Sequence, residues 1–433
     1  MTGGPNDTRN GAVPPRLTGA AWLTRPEARA VFAALEGGGY EARAVGGAVR
    51  NALLGEPVRD LDIATPARPE DVMRLAKGAG LTAIPTGIEH GTVTVVSGHI
   101  GYEVTTLRRD IETFGRHARV TFTTDWAEDA RRRDFTMNAL YCDPGGIIHD
   151  PLQGFSDLVA RRVRFIGEAR DRIREDYLRI LRFFRFTAEY SEDEPESHGL
   201  AACAALKDGI AQLSGERVRA ELLRLLAARR APETIAVMEN SGILAAVLPG
   251  GRSLEAYNKL RAIERSLDLA ADPLVGLCAL AVSLPGAALA LRDRLRLSNS
   301  EYERIARMAM PDPAFDPAVP EREAKAFIYR YGPEAFSDGA LVAWARSCRD
   351  SGDDSGDDPG DERRRQRWSL PARWKAPELP VRGADVLALG VAAGPDVGRV
   401  LGRFEEWWIG EDFPCHPDQL AAELARLAVV TKS

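Results

Sequence analysis

YEARAVGGAVRNALLGEPVRDLDIA, residues 40–64, is the stretch on which the reading of the fold turns. Tyr40–Val45 predicts a strand, Gly46-Gly47 a tight turn, Ala48–Leu54 a short helix and Arg59–Ala64 a second strand. A glycine pair after a strand lets the backbone approach an anion closely, because no Cβ stands in the way. The helix that follows points its first amides at the same place, and Arg50 adds a cation. By itself such a pair reads equally well as an ordinary turn. Asp60 and Asp62 decide the matter. Residues two apart on a strand share a face, and two neighbouring carboxylates repel unless something neutralises them. Mg²⁺ bridging to substrate phosphates does so with few protein carboxylates. Glu103, on a later expected strand, is a candidate third oxygen ligand or base.

Outward from this stretch, the patterning predicts a helix at Arg25–Leu35 and two hairpins. One pairs Thr92–Ser97 with Gly101–Leu107, the other Asn138–Cys142 with Gly146–His149. Strands are expected to end near residue 165. Amphipathic helices follow, as at Asp176–Tyr190 and Glu216–Ala227. The expected fold class is therefore α+β: a small head with a mixed or antiparallel sheet, then an all-helical remainder. Residues 1–24 are expected to be disordered, 25–160 to form the head, 161–230 a neck and 231–349 a helical body. The run DSGDDSGDDPGDE reads as an acidic linker over 350–365, leaving 366–433 as a helical tail.

Composition sets the limits. Of 433 residues, 45% are hydrophobic and 28% charged, the make-up of a folded globular chain. Lys and Arg number 57 against 63 Asp and Glu, a net charge of −6, which excludes a highly basic nucleic-acid coat protein but not a local basic groove. Five scattered cysteines form no CxxC pair, so a disulfide framework is not expected and a reducing compartment fits. The first fifteen residues lack the apolar core of a secretory signal. The apolar run Pro273–Leu291 is broken by Pro285-Gly286 and reads as two short buried helices rather than a membrane span. The expectation is a cytoplasmic protein without a membrane segment.

Two further clusters carry chemistry. Arg132-Arg133-Asp134 precedes Phe135-Thr136-Met137-Asn138-Ala139, placing two phosphate-binding cations beside an acceptor suited to a ribose hydroxyl. Read alone, it is equally a charged junction. Along a helix at 175–186, Glu175 leads Asp176, Arg179, Arg182 and Arg185, the last four spaced by three on one drifting face. Three arginines in such a stripe suit either a salt-bridged surface or a phosphate track.

GGAVRN…DLD, RRRDFTMNAL, HDPLQG, EDYLRILRFFRF and SGERVRAE occur in that order over about residues 40–225. Together they resemble the five motifs of class II tRNA nucleotidyltransferases, the CCA-adding enzymes, which share their core with bacterial poly(A) polymerases. A weaker similarity covers Pro380–Gly398. The resemblance implies a nucleotidyltransferase head whose Asp60 and Asp62 bind two Mg²⁺ ions; read from the residues, Glu103 joins them as a candidate catalytic carboxylate. It implies that Gly47 and Arg50 meet the triphosphate, Arg133 a phosphate and Asp134 the ribose 2′-OH; Gly46, from the glycine pair, is a further nucleotide-binding candidate. Asp176 and Arg179 would read the incoming base, Arg182 and Arg185 would bind nucleotide or primer, and Glu216, Arg217 and Glu221 would brace the neck helix. CTP and ATP would be the substrates and the acceptor arm of tRNA the partner. The family's first motif usually ends in Arg-Asp. Here Arg50-Asn51 keeps the hydrogen-bonding shape and drops the charge.

The alternatives are a poly(A) polymerase, a CC- or A-adding relative, and a non-catalytic RNA-binding module. The chain ends without a basic tail, which favours a specific tRNA grip over generic RNA binding. Thr106–Asp125 is long enough to be the flexible head loop associated with complete CCA addition. Asp60, Asp62, Asp176 and Arg179 are all present, which speaks against a dead head.

Overall fold

The head grows around one antiparallel pair and one parallel pair. In the computed structural model, which describes residues 13–114, 117–248, 250–282, 286–347 and 359–432, the strands are β1 (Arg43–Val45), β2 (Asp62–Thr65), β3 (Thr82–Gly87), β4 (Thr92–Ser97), β5 (Ile100–Thr106), β6 (Arg108–Phe114), β7 (His117–Phe122), β8 (Tyr141–Cys142) and β9 (Ile148–His149). Seven of them form one sheet in the order β3-β4-β5-β2-β1-β8-β9, and β6 pairs with β7 apart from it. β2 and β5 run parallel, while the other pairs are antiparallel, so the sheet is mixed. Strict alternation makes β4 a half-buried strand, with Val93, Val95 and Ser97 inward. The helices Pro26–Gly37 and Pro69–Gly78 pack on this sheet through Val31, Phe32, Val72 and Ala76. Val45, Ala64, Leu107, Ala130, Ala139 and Tyr141 close a core directly beneath the strand ends that carry the site.

After β9 the chain is helical. Phe135 and Phe165 pack against Phe183 of the helix Leu178–Tyr190, and the rings of Phe165 and Phe183 stack at 5.4 Å. This aromatic cluster fixes the neck helix to the head. Residues 1–249 form one compact unit and 250–433 a second, all helical in its described part. Among its described residues, one apolar core gathers around Phe315, Phe327 and Phe336 and another around Phe404 and Trp408.

Several expectations need adjustment. β2 begins at Asp62, so Asp60 precedes the strand instead of lying on it. Thr106–Asp125, read as long enough for the flexible head loop, is mostly the β6–β7 ribbon, as the run of Ile111, Thr113, Val120, Thr121 and Phe122 favours. The helix expected from 175 breaks. One helix ends at Glu175, Asp176 is extended with φ −156°, and the next begins at Leu178. The expected disorder at 1–24 falls partly outside the described residues. From Leu17 onward the chain is ordered, with Leu17 N–H bonded to the Gly146 carbonyl at 2.8 Å and Leu23 buried. The expected linker at 350–365 lies outside the described residues up to 358, and its remainder enters the helix Pro359–Trp368. The apolar run at 273–291 belongs to two helices, Pro273–Ala281 and Ala287–Leu295. Among the described residues no helix is long and apolar enough to cross a membrane.

Candidate active site

The floor of the site is the turn that the glycine pair makes. Gly46 has φ +70° and ψ −123°, a conformation that a side chain would oppose. It starts the helix Gly47–Leu54, and the free amides of that first turn open onto a cleft of about 530 Å³. Asp62 begins β2 beside it. Leu61 and Ile63 are buried while Asp60 and Asp62 are exposed, so the two carboxylates keep a common side although only Asp62 is on the strand. In the parallel pairing Asp62 stands directly opposite Glu103. The Asp62 carboxyl is pushed up to about 6, first because surrounding protein displaces water from it, then by the Glu103 and Asp60 charges against the pull of Arg133.

Among the described residues no group of three or more His, Cys, Asp or Glu side chains is gathered tightly enough to enclose a metal ion. The donor set nonetheless suits a hard divalent cation. Mg²⁺ takes one or two carboxylates and completes its shell with water and substrate phosphate. A carboxyl raised to about 6 first by desolvation and then by its carboxylate neighbours marks negative charge that the protein leaves without a full counter-charge.

The wall is made of arginines, most of them anchored. Asp129, 1% exposed, accepts from Arg132 Nε at 2.7 Å, Arg133 Nη2 at 3.0 Å, the Tyr141 hydroxyl at 2.8 Å and the Arg108 backbone N–H at 3.3 Å. Burial pushes its pKa up, but the two guanidiniums and the tyrosine outweigh it and hold Asp129 at about 2. Asp134 is buried too, and burial opposes its charge. Arg182, Asn138 and the Phe135 amide still keep it ionised, with Arg182 Nε at 2.7 Å. Arg172 reaches across from the helix Ala169–Glu175 to the carbonyls of Arg132 and Arg133, the latter at 2.6 Å. The backbone bearing Arg132 and Arg133 is thereby tied to the neck.

Asp176 and Arg179 meet in this cleft from either side of the helix break. Asp176 caps the neck helix by accepting from Leu178 N–H at 3.1 Å, and Arg217 holds it through two bonds, at 3.2 and 2.6 Å. Arg179 donates to Glu175 and to the Arg172 carbonyl, the latter at 2.8 Å. The cleft collects Gly46, Gly47, Arg50, Asp62, Arg133, Asp134, Asp176, Arg179 and Arg182. Arg185 stays outside it, buried and bonded to Glu221 at 2.5 Å and Glu189 at 2.9 Å. Glu221 also faces Arg182 at 3.6 Å, so it and Arg217 stand where a brace for the neck helix is expected.

Asp129, Tyr141, Asn138, Arg172 and Tyr190 escaped the sequence reading. Asp129 lies three and four residues before Arg132 and Arg133, and that helical spacing was the available signal. The other four act through the tertiary fold and left no local mark.

A family model of the poly A polymerase head domain matches residues 42–164, and one described as a probable RNA and SrmB-binding site of polymerase A matches residues 194–254. The chain is 31% identical over 397 residues to the mitochondrial CCA tRNA nucleotidyltransferase 1 of Mus musculus, covering 89% of this chain and 87% of that protein. It is 38% identical over 243 residues to the CCA-adding enzyme of Geobacillus stearothermophilus, 55% of this chain and 58% of that one. The solved structure of the Bacillus stearothermophilus CCA-adding enzyme in complex with CTP superposes with a TM-score of 0.70 at 31% identity, over 94% of this chain and all of the other. The Thermotoga maritima CCA-adding enzyme complexed with tRNA shares the fold, with a TM-score of 0.65 at 20% identity over 92% of this chain and 94% of that one.

Proposed function

The chain belongs to the CCA tRNA nucleotidyltransferase family, and from that premise we propose how its cleft performs the reaction. It adds CCA to the 3′ end of tRNA from CTP and ATP without a nucleic-acid template. The observation that carries our reading is one cleft with two halves. Asp62, with Glu103 in register and Asp60 close by, faces arginines anchored from behind, and Asp176 and Arg179 stand between.

In this reading the first amides of the helix Gly47–Leu54 and Arg50 and Arg133 hold the triphosphate, while Asp134 receives the ribose 2′-OH. Asp60 and Asp62 hold the divalent cation, which we take to be Mg²⁺, with Glu103 beside them. Such an ion, when bound, polarises the α-phosphate and lowers the pKa of the primer 3′-OH. Arg182 faces the nucleotide, and Arg185 supports it from outside the cleft.

Base choice follows from donor and acceptor chemistry. C and A each present an exocyclic amine donor beside a ring-nitrogen acceptor, whereas U and G present a carbonyl beside a ring N–H. The Asp176 carboxylate only accepts and the Arg179 guanidinium only donates. Each has capacity beyond its present bonds, since a carboxylate offers about four acceptor positions and a guanidinium five N–H groups. Arg217 and Glu175 thus orient the pair without exhausting it. We place the enzyme in the cytoplasm, on the strength of four described cysteines, all free.

The test is to sequence products made from tRNA ending at its discriminator base, with each NTP alone and in combination. Two C residues from CTP alone and CCA from CTP with ATP are expected. A run of A from ATP alone would establish a poly(A) polymerase instead. Asp176→Ala and Arg179→Ala should raise UTP or GTP use relative to CTP and ATP, by the factor that roughly 1–3 kcal/mol of lost pairing carries. A uniform fall with selectivity kept would reduce the pair to scaffolding.

A further inference from the structure

To choose a nucleotide by its base, the cleft must keep two grips at a fixed separation: the arginines that hold phosphate and the pair that reads the base edge. One buried side chain touches the supports of both. Arg172 lies on the helix Ala169–Glu175 and is not among the side chains that line the cleft. Its Nη2 donates to the backbone carbonyls of Arg132 and Arg133, the latter at 2.6 Å. Its Nη1 donates to the Glu175 carboxylate, which also accepts from Arg179 Nη1. The Arg172 carbonyl takes a further bond from Arg179 Nη1, at 2.8 Å. Arg179 Nη2 stands 3.5 Å from the same Arg132 carbonyl.

Local sequence does not fix this separation. Arg172 lies 39 residues beyond Arg133, and the break at Asp176 parts its helix from the one that carries Arg179. The bonds of Arg179 to Glu175 and to the Arg172 carbonyl rejoin the two helices. Arg172 then pins the joined pair to the segment from which Arg133 enters the cleft. A planar fork grips two carbonyls and a carboxylate at once. A lysine ammonium is a single point donor and does not span them.

We propose that Arg172 is a positioning residue for base selection, setting the register between the phosphate-holding segment Arg132–Arg133 and the base-reading Arg179. This rests on the reading of Asp176 and Arg179 as the base readers and adds what aligns them with the triphosphate. Its loss falls on ligands that need both grips, CTP and ATP. UTP, which does not pair with the readers, and pyrophosphate, which has no base, are spared.

The experiment uses Arg172→Lys in the full chain, with CTP and UTP competing for tRNA that ends at its discriminator base. The CTP-to-UTP ratio of kcat/KM comes from one preparation, so any misfolded fraction cancels even where the variant melts early. Misalignment by a fraction of a bond length should lower kcat/KM for CTP about tenfold, with UTP and the inhibition constant of pyrophosphate within about twofold of wild type. In an Arg179→Ala background, Arg172→Lys should lower the ratio no further, because no reader is left to align. Equal losses for CTP and UTP, a parallel weakening of pyrophosphate, or losses that add in the double variant would make Arg172 a structural tie and overturn the proposal. If Arg179→Ala alone leaves the ratio unchanged, the base-reading assignment falls and this proposal with it. If Arg179→Ala relaxes the ratio and Arg172→Lys does not, the assignment stands and only the role of Arg172 is lost.

Discussion

On the floor of the cleft, Asp62 faces Glu103 with Asp60 close by and is pushed up to about 6. On the wall, Asp129 takes four donors from buried surroundings and is held at about 2. The same carboxylate chemistry yields opposite results because the neighbours have opposite charge. The wall is complete before any ligand arrives: its arginines are oriented from behind, so little rearrangement is needed when phosphates enter. The floor is left incomplete, and in the proposed reading a cation completes it. Catalysis by positioning needs the first kind of region, and catalysis by a metal needs the second.

Breaking the floor should have the largest effect. Asp62→Ala is expected to lower the rate of nucleotide addition by at least about 10³-fold, with CTP affinity and folding nearly kept, since the wall stays intact. Single-turnover extension of tRNA measures it. A rate within tenfold of wild type would remove Asp62 from the metal site.

Breaking the wall should act differently and less severely. Asp129→Asn keeps the shape of the side chain but strands Arg132 and Arg133 without their counter-charge. Loss of one partner from a buried ion pair costs roughly 3–5 kcal/mol of stability, so the melting temperature should fall clearly. KM for CTP should rise roughly tenfold as the arginines lose their aim, with a much smaller change in the rate at saturation. Because Asp129 is ionised throughout, the KM change should be the same at pH 6 and pH 9. A fall in kcat with KM unchanged would mean that the arginines act on the transition state and not on binding.

How much of this was legible in the sequence depended on how local the cause was. The glycine turn, the Asp60–Asp62 spacing and the hairpin β4–β5 are written in adjacent residues, and Glu103 fell on an expected strand that the fold sets directly beside Asp62. The helix break at Asp176 was hidden, because a pattern of period three runs straight through it. Only the Leu178 cap and the Arg217 pair, forty-one residues away, show why the chain turns there. The helix Pro69–Gly78 and the strand β3 went unread. β3 is an edge strand with most of its side chains exposed, so it lacks the apolar alternation that marks β4. In residues 250–433 the helices are patterned plainly, but no cluster there carried a chemical reading.

The smallest effect, and the sharpest contrast between floor and wall, lies in pH. A carboxyl raised to about 6 in the folded protein, against roughly 4 in an unfolded chain, binds more protons folded than unfolded between those values. Raising the pH through that window therefore destabilises the metal-free protein. In Asp62→Asn the group cannot ionise. The two proteins should melt together at about pH 4 and below, and wild type should melt lower near pH 7. Since Asp62 opens onto solvent, screening keeps the gap small, on the order of 1–2 °C. Mg²⁺ should close the gap at pH 7 by supplying the missing counter-charge and should do little near pH 4, where Asp62 is protonated. Asp129 lies far below this window, so it adds no slope of its own. Calorimetry of both proteins at the two pH values, with and without Mg²⁺, provides the measurement. A gap that widens toward low pH, or one that Mg²⁺ leaves unchanged at pH 7, would mean that the floor carries no uncompensated charge and that its likeness to a metal site is one of sequence alone.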